Sequence, residues 1–149
     1  MFKVSMSGSK DIDRVLRGLE PKNMKNIMRR AVRLGSKPVK AKAKALAPKK
    51  TGKMAKSIRI KRSGKLERFG VYSDFIMLGT REKLDIDSKD PYYYPFAVEY
   101  GHSGAPAYPF MRPALESMDG FARSEWPNNL RLAIEARTSA LAKKGQKLT

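Results

Sequence analysis

The stretch Lys22-Asn-Met-Lys-Asn-Ile-Met-Arg-Arg-Ala-Val-Arg-Leu-Gly-Ser-Lys-Pro-Val-Lys-Ala-Lys-Ala-Lys-Ala-Leu46 decides the fold. Met24, Ile27, Met28, Ala31, Val32, Gly35 and Val39 recur at steps of three and four, so they share one stripe of an α-helix. Half of the other positions are Lys or Arg. Lys40-Ala-Lys-Ala-Lys44 alternates as a strand would, but alanine and lysine are good helix formers, and the helix is extended through them. Pro38 lacks an N–H and crowds the turn before it, so a kink or a split is expected there. Pro48 and Gly52 close the element.

Before this helix, Asp11 to Leu19 reads as a shorter one. Ser9 is placed to cap it, and Ile12, Val15, Leu16 and Leu19 share a face. After it the period changes to two. Ile58 and Ile60 alternate with Arg59 and Lys61, as in a half-buried strand. Ser63-Gly-Lys65 reads as a turn, and Leu66 to Ser73 as a second strand rich in β-prone side chains. Asp74 gives another turn, and Phe75 to Leu78 a short buried strand. An antiparallel meander is the simplest arrangement. Thr80 to Pro91 is a polar loop. Its Asp85, Asp87 and Asp90 lack the glycine and glutamate of a calcium loop, so no metal site is expected there.

Pro95 to Tyr100 fits a brief helix with proline at its start and Gly101 just past its end, a strand being the alternative. Tyr92, Phe96 and Tyr100 would then form a core stripe. Pro113 opens another helix with Leu115, Met118 and Ala122 inward. Pro127 interrupts it, and Asn128 and Asn129 are placed to cap a restart carrying Leu130, Ala133, Ile134, Arg137 and Leu141. The fold class is therefore α+β: an antiparallel meander packed against a long basic N-terminal helix and a C-terminal helix. Residues 1–142 read as one domain and 143–149 as a flexible basic tail.

The chain of 149 residues carries a net charge of +18, unevenly placed. Residues 1–62 hold 20 Lys/Arg against Asp11, Asp13 and Glu20, a net +17; residues 63–149 hold 12 against 11, a net +1. Such a field attracts phosphate backbones or acidic protein surfaces. Lys40, Lys42, Lys44, Lys49, Lys50 and Lys53 are the candidate contacts. No aromatic side chain is interleaved between Lys22 and Lys61, so specific base stacking is not expected. With 41% hydrophobic residues the chain is globular, and no 18-residue apolar run suggests a membrane span.

Catalytic chemistry is hard to build from this sequence. There is no cysteine, and the single histidine, His102, sits in a Gly-His-Ser-Gly loop without spaced partners. Ser103 lies outside any nucleophile-elbow pattern. Glu99 stands in an aromatic segment; once buried it needs a partner, such as Arg112 or a base of the long helix. No enzyme, cofactor or metal is expected.

The ordered pieces Ala47-Pro48, Thr51-Gly52 and Ser57-Ile58, then Tyr94, Phe96, Val98-Glu99-Tyr100-Gly101 and Pro106-Ala107 with Pro109-Phe110-Met111-Arg112-Pro113-Ala114, carry a resemblance. Over roughly residues 10 to 120 the chain resembles the bacteriophage tail-component family. It departs from the family pattern at Gly101-His102, where glycine-threonine is usual, and in the long loop from Thr80. The resemblance implies a virion protein of the head–tail junction, an α+β subunit forming a ring, commonly sixfold. That ring would complete the tail, join it to the head and let DNA pass. Implied partners are other copies of the chain, the tail tube protein, the head connector or stopper, and genomic DNA by non-specific contact. Implied locations are the virion neck and, during assembly, the host cytoplasm. Tyr94, Phe96, Pro109, Phe110 and Arg112 join the lysines as expected interface residues. The alternative from charge alone is a small basic protein that binds nucleic acid without sequence preference.

Overall fold

A computed structural model describes residues 17, 19–49, 52–79 and 95–145. Helix α1, Pro21–Leu46, begins one residue earlier than the periodicity suggests, with proline in the first turn, where its missing N–H leaves no gap. It runs through Pro38 without a split. One intrahelical hydrogen bond is forfeited there, and the packing on either side holds the helix together. The expected helix over Asp11 to Leu19 lies outside the described residues, apart from Arg17 and a buried Leu19.

The buried residues of α1 are Asn23, Ile27, Ala31, Val39 and Ala43, spaced in multiples of four. Each step of four overshoots a full turn by about 40°, so the direction of burial rotates by about 160° between Ile27 and Ala43. The two ends therefore serve different cores. Ile27 and Ala31 pack with Leu19, Leu130, Ala133 and Ile134. Ala43 and Ala47 pack with Met54, Ile58, Phe110 and Ala114. Each fully buried Ile or Phe stabilises the fold by roughly 1.5–3 kcal/mol.

A short helix α2, Lys53–Ser57, leads into strand β1, Arg59–Arg62. Strand β2, Asp74–Met77, pairs with it antiparallel, Arg59 opposite Met77 and Arg62 opposite Asp74. Between them the expected strand over Leu66 to Ser73 is absent. Residues Gly64–Glu67 form a helical turn, α3, capped by Ser63, whose Oγ accepts from the Leu66 N–H at 3.3 Å. The Val71 N–H closes back on the Leu66 carbonyl at 3.1 Å, and Gly70 has a positive φ of 75°. Local hydrogen bonds thus take the donors that a strand would have offered to a neighbour. Asp74 opens β2 instead of making a turn. The meander is corrected to a two-stranded ribbon in a mostly helical α+β fold. The loop from Thr80 to Pro91 lies outside the described residues.

Helix α4 spans Pro95–Tyr100, as expected, with Gly101 at φ 78° behind it. Helix α5, Met111–Ser124, starts before Pro113 and turns Ala114 inward with Met111, Met118 and Ala122 half-buried. Leu115, expected inside, is exposed, because Ala114 holds the centre of the buried face. Helix α6, Trp126–Ala142, takes Pro127 into its first turn. No asparagine side chain caps it: Asn129 is buried, and the Asn128 Nδ2 donates to Glu125 at 2.9 Å. Leu130, Ala133, Ile134 and Leu141 are buried as the spacing predicts. Helix α6 lies antiparallel to α1: Arg137 bonds Asn23 near one end, while Gly35 faces Asn129 nearer the other.

Candidate functional site

Two surfaces stand out. The first is an open cleft of about 350 Å³ beside the middle of α1, lined by Arg29, Arg30, Arg33 and Lys37 with Arg62 from β1; Leu34 is its apolar lining residue. Helical spacing puts Arg30, Arg33 and Lys37 on one side of α1. The ribbon then brings Arg62 across, because two carboxylates staple it to the helix. Arg29 donates to Glu67 through Nε at 3.1 Å and Nη2 at 2.7 Å, and the Arg62 Nε lies 3.1 Å from the same carboxylate. Arg33 donates to Asp74 Oδ1 at 3.1 Å and to the Ile60 carbonyl at 3.3 Å. The hydrogen bond from Arg29 holds the Glu67 carboxyl below its usual range, with Arg62 and Lys25 adding to the effect, so it stays ionised.

The second surface is an aromatic corner. Phe96 and Tyr100 stack on α4 with ring centroids 5.6 Å apart, and the Arg112 guanidinium lies 5.1 Å from the Tyr100 centroid. Phe96 is 81% exposed, and Tyr100 and Tyr108 are also largely exposed. The expected core stripe is therefore corrected: Phe96 and Tyr100 face outward, and Tyr92 lies outside the described residues.

Glu99 positions this corner. Its side chain is buried, and Oε2 accepts from the backbone N–H of Phe110 at 2.8 Å and of Met111 at 3.0 Å. Its Oε1 accepts from the Arg112 N–H at 3.1 Å and more weakly from Arg112 Nε at 3.4 Å. Helix α5 is thus capped by a carboxylate from α4, where the helix dipole favours negative charge. Burial by itself would push the Glu99 carboxyl up; the three backbone donors and Arg112 outweigh it, and the carboxyl lies below its ordinary value. Arg112 is one of the two partner types expected from the sequence, but the backbone supplies the shorter bonds. The backbone cap carries no side-chain signature and was not foreseen.

The other candidates are scattered. Lys42, Lys44, Lys49 and Lys53 are exposed and Lys40 half-buried, all toward the far end of α1 and beyond it, and none of them lines the cleft. Pro109 and Arg112 are exposed with Phe96. Phe110 is fully buried and serves the core, not a partner-facing surface, because its ring fills the space between Ala43, Ile58 and Ala114. Lys50 and Tyr94 lie outside the described residues. His102 is exposed, and its Nδ1 accepts from the Gly104 N–H at 3.1 Å, an ordinary loop contact. Among the described residues, no group of three or more His, Cys, Asp or Glu side chains could hold a metal ion, and no helix is long and apolar enough to cross a membrane.

Residues 8–75 match the family model HK97-gp10_like, described as "Bacteriophage HK97-gp10, putative tail-component". Over these residues the chain is similar to a bacteriophage tail-component family. The tail-component match takes in α1, α2, the ribbon as far as Phe75, and every residue that lines the basic cleft. The aromatic corner lies beyond it. No curated protein and no solved structure gives a significant match.

Proposed function

We propose that this chain is a structural protein of a tailed-phage virion that forms a ring at the head–tail junction. The ring completes the tail, connects it to the head and leaves a passage for DNA. The carrying observation is the tail-component match over residues 8–75. The surface supports it. Leu66, Phe69, Val71 and Phe75 are exposed along α3, the segment after it and β2, while Phe96, Tyr100, Tyr108 and Leu115 are exposed on α4, the following loop and α5. Exposed apolar side chains on two different stretches of one subunit suit head-to-tail contacts, which close into a ring when the rotation is right. Tyrosine, phenylalanine and arginine are the side chains that such interface centres favour. Copies of the chain, six in the ring that the family resemblance implies, would meet the tail tube on one side and the head connector on the other. This work needs no bond-making chemistry.

The test is electron microscopy of the purified protein, alone and mixed with tail tubes. Closed rings or capped tube ends are expected. A protein that remains monomeric and leaves every tube end bare rules the proposal out.

A further inference from the structure

We propose that the cleft between α1 and β1 grips the phosphate backbone of duplex DNA without reading its sequence. Five cations line it: Arg29, Arg30, Arg33, Lys37 and Arg62. Glu67 and Asp74 pair with three of them, and no acidic partner of Arg30 or Lys37 is found among the described residues. Five positive charges against two negative ones leave an excess of three. The paired guanidiniums are also held in place, so less side-chain freedom is lost when a ligand docks.

The geometry suits a row of phosphates. Arg30, Arg33 and Lys37 extend about 10 Å along the axis of α1. A strand of duplex DNA passes about three phosphates over that length. The lining offers no aromatic platform on which a base could stack. Tyr72 borders only a seam of about 10 Å³ behind the cleft, too tight for a base. Phosphate contact, which positions without specifying, is what remains. An acidic protein surface is a poorer fit, because protein interfaces deplete charge at their centres and this cleft has little apolar lining. Duplex DNA presents a negative charge about every 1.7 Å of axis.

The inference does not depend on ring formation, since a single subunit carries the whole cleft. The test measures binding of the full chain to short labelled duplexes of unrelated sequence, from about 50 to 200 mM salt. Wild type should bind all of them alike, with affinity falling steeply as salt rises. The pair Arg30→Glu and Lys37→Glu should weaken binding at least roughly tenfold at low salt and make the salt slope shallower by about two, one for each lost contact. The pair Lys42→Glu and Lys44→Glu, with the same charge change outside the cleft, should lose much less. If either reversed pair melts early, the matching glutamine pair replaces it. Equal loss from both pairs overturns the inference, because net charge alone then explains binding. So do salt-insensitive binding, no binding at low salt, or strong preference for one sequence. Polyglutamate competing as well as DNA would assign the cleft to an acidic protein. Displacement by inorganic phosphate at matched phosphate concentration would assign it to a free anion.

Discussion

Arg137 grips Asn23 from 114 residues away: its Nε and Nη2 both donate to the Asn23 Oδ1, at 3.0 and 2.8 Å. Asn23 is buried, so this pair fixes how α6 lies against the start of α1. Arg137→Ala should cost about 1–3 kcal/mol, because a buried acceptor loses a charged fork. Urea unfolding at neutral pH measures it. Arg137→Lys should recover only part of the loss, since an ammonium cannot reproduce the two parallel donors.

Removing the Glu99 carboxylate strips a cap from α5. Glu99→Ala should destabilise by about 2–3 kcal/mol, with Glu99→Gln milder because one acceptor oxygen survives. The depressed Glu99 carboxyl also sets a pH dependence. Its folded value lies below the unfolded one of about 4.3, so its contribution is fully present above that pH and fades as pH falls toward the folded value. Melting curves taken from neutral pH down to about 3 should show wild type and Glu99→Gln converging as the medium acidifies. A gap that stays constant or widens on acidification contradicts this account.

Gly101 sits at φ 78°, and a Cβ there would meet the Ala107 backbone N at 2.8 Å. Gly101→Ala should therefore cost about 1–2 kcal/mol or more, combining left-handed strain with a clash against rigid backbone. Nearby, Gly120→Ala in exposed α5 has open space around the new methyl and should be neutral or stabilising. Thermal melting should show Gly101→Ala clearly below wild type and Gly120→Ala at or above it.

Phenylalanines 96 and 110 should separate stability from assembly. Phe110→Ala leaves a core cavity and should cost about 3–5 kcal/mol. Phe96→Ser with Tyr100→Ser removes exposed rings and should change stability by no more than about 0.5 kcal/mol. The same double change should abolish rings or tail capping in micrographs. Intact assembly would show that the aromatic corner is not a subunit contact.

Long-period signals were readable in the sequence. The stripe through Ile27 and Ala31 gave α1, and Leu130 to Leu141 gave α6, because helical burial repeats along one element. The segment after Ser63 was misread because Phe69, Val71 and Tyr72 favour strands by composition. The Ser63 cap and the bonds from Glu67 to Arg29 and Arg62 overrode that preference. Leu115 and Phe96 were placed inward on spacing alone, which identifies a face but not which residue of it meets the core. Among the basic residues, those from Lys40 to Lys53 drew attention by their density. The cleft instead assembles Arg30, Arg33 and Lys37 with Arg62, and that joining depends on a ribbon docked by Glu67 and Asp74. Neither tertiary staple is visible in local sequence.

Apart from Leu19, the buried core partners of Ile27 and Ala31 all lie in α6: Leu130, Ala133 and Ile134. At about 5–20 residues per second, translation needs roughly 5–20 seconds to carry the nascent polypeptide from Ala31 to Ile134. Throughout that interval this side of α1 lacks its α6 partners, beside a dense field of like charge. Mutual repulsion between neighbouring nascent chains would then act as a built-in guard against premature clumping, and high salt during expression should weaken it.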